Sequence, residues 1–338
     1  MAQRLGERDD GSGGGRLSTL DRRIISALQI RPRATWAMIA DAIGEPARSV
    51  TRRGSDLIAT GTIRVVGVNG PTRTALAFCR PVINTTRTVL RSLAARPDCV
   101  FAYALTGRWP VLAELRVDDE GLERLFLDEL PATPGLADLQ VRRASRVLRS
   151  VREWIPDILT PEEQARLGYT AGRTGFPIVS VDPDISPQDR ELLRLLMADG
   201  RTPTAELAAR TRLSENTVRR RLAWLEDNHY SRLRVVVEPE DLGFSHEAIV
   251  RLDCVPGSSV QVIDSLLRGS AVRYLAALGG DDILLAHVVG RSIDELHTLI
   301  SSPEWTTGVR SLDSAHLVAA VKRSGHLRDT DQRGRSLY

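Results

Sequence analysis

Three consecutive arginines, Arg219, Arg220 and Arg221, follow an asparagine, Asn216, within one short segment of the chain. Arginine can donate two hydrogen bonds to the edge of guanine, asparagine can do the same for adenine, and further cations neutralise phosphates. If the apolar residues of the segment form the buried face of a helix, a turn of about 100° per residue directs Asn216 and Arg220 outward. The pattern therefore predicts a helix that enters the major groove of DNA.

The predicted helix begins at Ser214, a typical N-cap residue, and its apolar stripe comprises Val218, Leu222 and Leu225. A charged helix face that is merely solvated is the simpler alternative, but a preceding helix and a following strand favour DNA binding. The residues predicted to contact DNA from this helix are Ser214, Glu215, Asn216, Thr217, Arg219, Arg220 and Arg221.

A weaker version of the pattern lies far upstream, at 46–59. Pro46 occupies the capping position, and Gly54 replaces the apolar Leu222, which costs about 1 kcal/mol relative to alanine and leaves the apolar stripe incomplete. We expect this helix to bind DNA more weakly or with a different sequence preference. The residues predicted to contact DNA from it are Arg48, Ser49, Thr51, Arg52 and Arg53.

The two helices belong to a longer internal repeat. The alignment that places Pro46 on Ser214 also places LDRRIISAL (20–28) on QDRELLRLL (188–196), and no gap is needed over about 45 residues. Further along, Gly107 aligns with Gly279, so a few residues were inserted between the two matches. Self-similarity of such a long period predicts a duplicated module.

Each copy begins with three short helices of three- and four-residue apolar periodicity and a β-branched stretch typical of a wing strand. Alternating strands and helices follow in the order βαββαβ, although the arginine spacing in VRRASRVLR (141–149) would also suit a helix. The predicted fold class is α+β, with two copies of a winged helix-turn-helix domain followed by a ferredoxin-like domain. The predicted domains are a flexible leader (1–16), winged helix 1 (17–70), ferredoxin-like domain 1 (71–152), a linker (153–185), winged helix 2 (186–240), ferredoxin-like domain 2 (241–323) and a flexible tail (324–338).

Composition, cysteine spacing and the length of apolar runs exclude several classes of protein. The 338 residues carry a formal net charge of only +3, so the distribution of arginines matters more than the total charge. Cys79, Cys99 and Cys254 are isolated, so neither a disulfide framework nor a zinc finger is indicated. No apolar run is long enough to span a bilayer, and the N-terminus lacks the features of a signal peptide. We expect a cytoplasmic protein without a metal, a cofactor or a membrane partner.

The order of these elements, with IADAIG (39–44), SENTVRRRLAWLE (214–226), EPEDLG (238–243) and a G-x-x-D turn at 279–282, resembles the leucine-responsive/AsnC family of bacterial transcription regulators in a tandem form. The resemblance covers nearly all of 17–321. It implies sequence-specific binding to double-stranded DNA, homo-oligomers that pair through the sheet of the ferredoxin-like (RAM-type) domain, and a small effector such as an amino acid.

By this resemblance the effector binds near the G-x-x-D turn. The residues assigned to that site are Thr106, Gly107, Gly279, Gly280, Asp281 and Asp282. An ordinary hairpin turn is the simpler reading, since glycine and aspartate favour turns by themselves. Pro110 stands in the aspartate position of the first copy, so we expect effector binding chiefly in the second copy.

Two alternatives compete with a regulator. Siroheme decarboxylases resemble the same two-part fold and would require a histidine and a rim of cations for tetrapyrrole carboxylates. The strand CVFAYALT (99–106) has no histidine, and His287, His297 and His316 are interpreted as structural or surface residues. We find no catalytic set and predict that the protein is not an enzyme. The other alternative is an interaction module that no longer binds DNA.

Overall fold

The computed structural model describes residues 17–68, 73–117, 120–169, 185–228, 230, 232–280 and 282–327. The predicted leader and most of the predicted tail lie outside these residues, as does 170–184 of the predicted linker. Within them, the same order of elements occurs twice: three helices, a strand, and then a βαββαβ sandwich.

Three helices open the described chain, and local sequence signals explain where they begin. Ser18 caps the first helix, and its hydroxyl and Asp21 form a reciprocal capping box. Thr35 caps the second, which ends at Gly44 in a left-handed conformation (φ 67°). The helices and the strand that follows are α1 (Thr19–Ile30), α2 (Trp36–Ile43), α3 (Ala47–Ala59) and β1 (Arg64–Val68).

The second set of helices repeats this arrangement. Ser214 caps its third helix, as predicted, and Ser186 caps its first. The elements are α7 (Pro187–Ala198), α8 (Thr204–Thr211), α9 (Glu215–Asp227) and β6 (Arg232–Val236). A short helix before this set, α6 (Pro161–Arg166), begins with a capping box formed by Thr160 and Glu163. Glu163 reaches Arg23 of α1 at 2.7 Å, so α6 packs on the first set of helices.

Each sandwich has four long strands. The first comprises β2 (Thr74–Pro81), α4 (Thr86–Ala95), β3 (Cys99–Leu105), β4 (Val111–Arg116), α5 (Gly121–Arg124, extended by one π-helical turn over Leu125–Glu129) and β5 (Leu136–Arg149). The second comprises β7 (His246–Cys254), α10 (Ser259–Arg268), β8 (Val272–Leu278), β9 (Ile283–Gly290), α11 (Ile293–Ile300), α12 (Pro303–Thr306) and β10 (Val309–Arg323), to which the short β11 (His326–Leu327) adds. The 141–149 segment is a strand, as the βαββαβ order predicts.

The two sandwiches join edge to edge and close a ring. Their strands run β10-β3-β4-β2-β5-β8-β9-β7 and return to β10. Within each half the order is that of a ferredoxin-like sheet, and the last strand of each half pairs with the second strand of the other. The closing strands β5 and β10 are shared, since each pairs with its own half along its first part and with the other half along its last part. The pairing that the resemblance assigns to separate subunits is thus made inside one chain.

The strand register corrects the alignment of the two sandwiches. In the first half, Leu76 of β2 pairs with Glu114 of β4, and in the second half, Ile249 of β7 pairs with His287 of β9. Leu76 therefore corresponds to Ile249, and Glu114 corresponds to His287. By the same register, Gly107 corresponds to Gly280 rather than Gly279, and Trp109 rather than Pro110 is the counterpart of Asp282. The sequence alignment was wrong by one residue because only strand pairing shows where the insertions between the copies end.

Apolar residues from both halves fill the ring. Phe101 and Tyr103 stack with ring centroids 4.4 Å apart, and Phe101 also meets Tyr274 of the other half edge to face at 6.3 Å. Two cations brace the halves. Arg149 donates to the carbonyls of Leu267 and Gly269 at the end of α10 and to that of Val272 at the start of β8, and Lys322 donates to the Arg96 carbonyl at the end of α4. Cations are favourable at helix C-termini because carbonyl groups converge there.

The predicted wing strands pair with each other. β1 and β6 form an antiparallel two-stranded sheet, with Val66 opposite Arg234 at its centre. Next to this sheet, Arg33 of the first set of helices and Arg201 of the second set each donate two hydrogen bonds of 2.7 to 3.1 Å into a loop of the other set. The acceptors are the carbonyls of Gly200 and Thr202 for Arg33, and those of Pro32 and Ala34 for Arg201. These reciprocal contacts hold the two sets of helices together.

Candidate functional site

The third helix of the second set, α9, presents polar groups on one face. Val218 and Leu225 are fully buried, while Asn216 and Arg219 are exposed. Ser214 accepts a hydrogen bond from the Thr217 backbone and lies 2.9 Å from the Thr217 hydroxyl. The guanidinium of Arg219 donates to Glu215 and to Asn216 Oδ1, both at 2.8 Å.

Arg220 points into solvent from the centre of this face. It makes no hydrogen bond or ion pair with any residue that the structure describes. Arg48, the counterpart of Asn216 on α3, is likewise exposed and unpaired among the described residues. Arg52, the counterpart of Arg220, lies 3.5 Å from Asp56 on the surface of α3. Exposed ion pairs of this kind contribute little, so Arg52 remains free to exchange partners.

Arg53 and Arg221 have a different environment from the one predicted. Arg53 lies 2.9 Å from the carboxylate of Asp21, and Arg221 lies 3.0 Å from that of Asp189. Both aspartates are buried at the start of the first helix of their set. These equivalent ion pairs tie the third helix to the first, and contact of the two partly exposed arginines with DNA stays a prediction. Ser49 and Thr51 stay on or near the exposed face of α3.

Gly54 leaves no gap in the core of the first set, which corrects the expectation of an incomplete stripe. A Cβ atom on Gly54 would lie 2.4 Å from Cζ3 of Trp36, so the indole occupies the space that Leu222 takes in the second set. The centroid of the Trp36 ring also lies 4.5 Å from the guanidinium carbon of Arg201. The small residue at 54 is therefore a packing requirement.

The residues predicted to bind an effector occupy two separate turns. Thr106 exchanges hydrogen bonds with His316 of β10, through its own N–H and through its hydroxyl, both at 2.9 Å. The Gly279 N–H donates to the Arg143 carbonyl of β5, and Gly107, Gly279 and Gly280 all have positive φ. Asp282 is exposed, and Asp281 lies outside the described residues. Each turn thus borders the last strand of the other half.

A buried polar cluster inside the second half was missed by the sequence analysis. Glu247 accepts two hydrogen bonds from Arg323, at 2.6 and 3.0 Å, and lies 2.9 Å from His287 Nε2. Arg323 Nε lies 3.0 Å from a second carboxylate, Glu238. Arg273 is also buried, with its guanidinium carbon 5.5 Å from the ring centroid of Trp154.

Burial and ion pairing shift the pKa values in this cluster in opposite directions. Burial lowers the pKa of His287 to about 4 against the influence of Glu247, so the imidazole is neutral at pH 7. Burial alone would raise the pKa of Glu247, but Arg323 and His287 outweigh it and hold that pKa well below its ordinary range. His287 is buried, whereas His297 and His316 are exposed.

A sequence signal for this cluster exists in the strand pattern. Glu247, His287 and Glu114 occupy positions that face the interior of the ring, where the neighbouring inward residues, such as Ile249 and Leu285, are apolar. Charged residues at inward positions of a closed sheet break the expected alternation and require a partner.

None of the helices in the described part of the chain combines the length and the apolar character that a membrane span requires.

Comparison with known proteins connects this geometry to a family. A model of the AsnC-type helix-turn-helix domain matches residues 185–226, which include α7, α8 and most of α9. The HTH-type transcriptional regulator LrpA of Pyrococcus horikoshii is 30% identical over 119 residues, which make up 35% of this chain and 84% of that protein. An uncharacterized HTH-type transcriptional regulator of Pyrococcus abyssi is 28% identical over 142 residues, 41% of this chain and 89% of its own. These relatives are archaeal and lend no support to a bacterial source.

Among solved structures, the siroheme decarboxylase NirDL matches 90% of this chain and 93% of its own, with a TM-score of 0.58 and 14% identity. At that identity the likeness concerns the fold alone. The helix-turn-helix match coincides with the exposed arginines of α9, and LrpA is matched over most of its length. The chain therefore belongs to the AsnC-type (leucine-responsive/AsnC) family of DNA-binding helix-turn-helix transcriptional regulators.

Proposed function

We propose that this chain is a tandem member of its family, in which two winged helix-turn-helix units and two ferredoxin-like domains form the equivalent of a dimer within one polypeptide. The strongest support is the reciprocal bracing of Arg33 and Arg201, since equivalent side chains grip equivalent loops. The P. horikoshii relative is shorter than half of this chain, which agrees with one module per copy.

In this proposal α3 and α9 are the two DNA-reading helices, held by the β1–β6 sheet in a fixed mutual orientation. A symmetric pair of readers would bind a palindromic site. Here Asn216 and Arg220 correspond to Arg48 and Arg52, so the two readers present different hydrogen-bonding groups. The preferred DNA site therefore has two unlike half-sites.

The test is to recover the genomic fragments that the full chain retains and to titrate the preferred fragment by fluorescence anisotropy across salt concentrations. Several arginine–phosphate contacts release counterions, so affinity should fall steeply as salt rises. Arg220→Ala should weaken specific binding by about 1 to 3 kcal/mol if it contacts a base edge, and Arg52→Ala should weaken it less.

A matched control is Arg310→Ala, because Arg310 is an exposed, ion-paired arginine on β10, away from both helices. Its affinity should equal that of the wild type. Binding that is insensitive to salt, or identical for all DNA sequences, contradicts the regulator proposal. Equal losses for Arg220→Ala and Arg52→Ala contradict the ranking of the two helices.

We also propose that a small effector acts at the turn of the second half, where Asp282 exposes a carboxylate beside glycines of positive φ. The corresponding residue in the first half is Trp109, which packs against Phe78 and lies under the guanidinium of Arg80. Calorimetric titration with the twenty amino acids should give one site per chain, and Asp282→Ala should abolish it. Two sites unaffected by that change contradict this part of the proposal.

The enzymatic alternative, a siroheme decarboxylase, predicts that the chain releases carbon dioxide when it is incubated with siroheme. A protein that is a regulator alone should release none. Homo-oligomerisation beyond the internal pairing also stays a prediction, which light scattering of the full chain can test.

A further inference from the structure

An exposed pair of stacked aromatic rings lies at the C-terminal end of α9 and in the loop that follows it. The ring centroids of Trp224 and Tyr230 are 5.3 Å apart, with 25° between their planes. Trp224 nevertheless keeps 42% of its surface exposed, although tryptophan in a folded protein is usually highly buried. Its indole N–H makes no hydrogen bond with any residue that the structure describes. The pair therefore presents an apolar surface and a hydrogen-bond donor.

The end of the helix holds this pair in place. The Trp224 carbonyl accepts hydrogen bonds from the backbone N–H and the side-chain amide of Asn228, at 3.0 and 2.9 Å. The Tyr230 N–H donates to the Leu225 carbonyl at 2.9 Å, so the chain folds back over the last turn of α9. Tyr230 also packs against the buried core of the second set of helices. A ring supported in this way loses little conformational entropy when it binds a partner.

Helix geometry places Trp224 on the side of α9 that carries the exposed polar groups. Trp224 follows Arg220 by four residues, so the two side chains lie within about 40° of each other around the helix and about 6 Å apart along it. Asn216 lies about 12 Å from Trp224 along the axis, which is about the width of the major groove. When the N-terminal part of α9 contacts base edges, Trp224 therefore reaches the wall of the groove, which the sugar–phosphate backbone forms.

The equivalent position of α3 has a different character. The alignment of the repeat matches Trp224 with Asp56 and Tyr230 with Thr62. Asp56 is exposed and lies 3.5 Å from Arg52, so it presents a negative charge where α9 presents an aromatic surface. A carboxylate is repelled by a phosphate, whereas an indole N–H can donate to one. The aromatic pair thus distinguishes α9 from α3.

We propose that the Trp224–Tyr230 pair lies against the sugar–phosphate backbone of double-stranded DNA, with the indole N–H of Trp224 donating to a phosphate and its ring packed on a deoxyribose. The exposed arginines Arg219 and Arg220 of the same helix supply the charge that attracts a polyanion to this surface. The inference rests on the proposed DNA binding by α9. It adds a contact that carries no sequence information by itself, because phosphates and sugars are the same at every base pair.

The first measurement compares DNA affinities by fluorescence anisotropy, with the preferred fragment and with a scrambled fragment of equal length. Trp224→Ala should weaken binding to both fragments about tenfold, the usual order for one hydrogen bond to a charged group. Its salt dependence should equal that of the wild type, since no cation is lost. Trp224→Phe keeps much of the apolar surface and should lose less, whereas Trp224→Asp adds repulsion and should lose more. Val260→Ala, which truncates an exposed apolar residue of α10, should bind as the wild type does.

The second measurement requires no loss of affinity. The difference in emission between the wild type and Trp224→Phe isolates the fluorescence of Trp224 from that of the other tryptophans. Acrylamide, a neutral quencher, should reach Trp224 in the free protein because the side chain is exposed. At saturating DNA the backbone should cover the ring, so quenching of the Trp224 emission should fall severalfold.

The outcomes separate this inference from the proposed function. Unchanged affinity of Trp224→Ala, or undiminished quenching of Trp224 in the complex, overturns the backbone contact while DNA binding by the wild type stands. A loss confined to the preferred fragment would make Trp224 a base contact and overturns it as well. Altered self-association of Trp224→Ala in light scattering, with unchanged DNA affinity, assigns the surface to a second copy of the chain. A wild type that binds no DNA overturns both the inference and the proposed function.

Discussion

Val66 and Arg234 lie directly opposite each other where β1 pairs with β6. The alignment that matches Pro46 with Ser214 also matches Val66 with Arg234, so the two residues occupy the same position in the two units. In a pair of identical chains, both positions would carry the same residue, and two arginines facing each other at one point would repel. A single chain that contains both units can place a charge on one side only.

Gly54→Ala should destabilise the protein, although helix propensity alone predicts a gain of about 1 kcal/mol. The added Cβ would lie 2.4 Å from the Trp36 ring, and overpacking of this kind costs about 1 to 3 kcal/mol. Denaturant titration with calorimetric confirmation measures the change. A more stable Gly54→Ala protein would show that Trp36 can move away freely.

The second set of helices provides the matched control for this prediction. There Thr204 and Leu222 stand at the positions of Trp36 and Gly54. The double variant Trp36→Thr with Gly54→Leu transfers that pair to the first set and should be more stable than Gly54→Leu alone. If the two changes are simply additive, the indole and the glycine are not coupled.

Arg221→Ala should mainly reduce stability, whereas Arg220→Ala should mainly reduce DNA binding. Removal of Arg221 leaves Asp189 buried without its cation, at a cost of about 1 to 3 kcal/mol because the arginine itself is partly exposed. Arg220 is exposed, so its removal should change stability by less than about 0.5 kcal/mol. Chemical denaturation of both variants separates the two roles. Equal stability would mean that the ion pair does not hold α9 to α7.

Glu114 should make stability depend on pH. Burial raises the pKa of Glu114 from 4.5 to about 6, and Tyr274 donates a hydrogen bond of 3.2 Å to its carboxyl group. Because the folded-state pKa lies above the unfolded value, the protonated form favours folding. This contribution is complete below pH 4.5 and is lost as the pH rises through 6, a change of about 2 kcal/mol.

Glu114→Gln removes this titration, so its stability relative to the wild type should rise by about 2 kcal/mol between about pH 4.5 and pH 7.5. Urea titrations at several pH values within that window provide the measurement. Glu304→Gln, at an exposed glutamate on α12, is the control and should follow the wild-type profile. Parallel profiles for Glu114→Gln and wild type would place the Glu114 pKa near its ordinary value.

Arg323→Met should be among the most destabilising single changes in the strand ring. Among the described residues it leaves the buried Glu247 with the neutral His287 as its remaining hydrogen-bond partner, and loss of one member of a buried ion pair costs about 3 to 5 kcal/mol. The double variant Arg323→Met with Glu247→Leu should recover much of that loss, because the fully buried carboxylate is then gone and Glu238, the other partner of Arg323, is only partly buried. Thermal and denaturant unfolding of both proteins decides the point. A double variant as unstable as the single one would trace the loss to packing instead.

The sequence by itself was sufficient for the local structure. Apolar periodicity and N-cap residues, such as Ser186 and Ser214, predict both sets of helices, since these signals act within a few residues along the chain. The repeated order of strands and helices likewise identifies β5 correctly, despite its helix-like arginine spacing. The outward direction of Arg220 follows from helix geometry alone.

Only the tertiary structure decided which residues meet across the repeat. Pairing of β1 with β6, closure of the ring within one chain, and the ion pairs of Arg53 and Arg221 all join residues far apart in sequence. One-dimensional periodicity shows which side of an element is apolar, but it carries no information about the partner on that side. Arg234 and Arg273 illustrate this limit, because the sequence alone does not show that both charged side chains are buried.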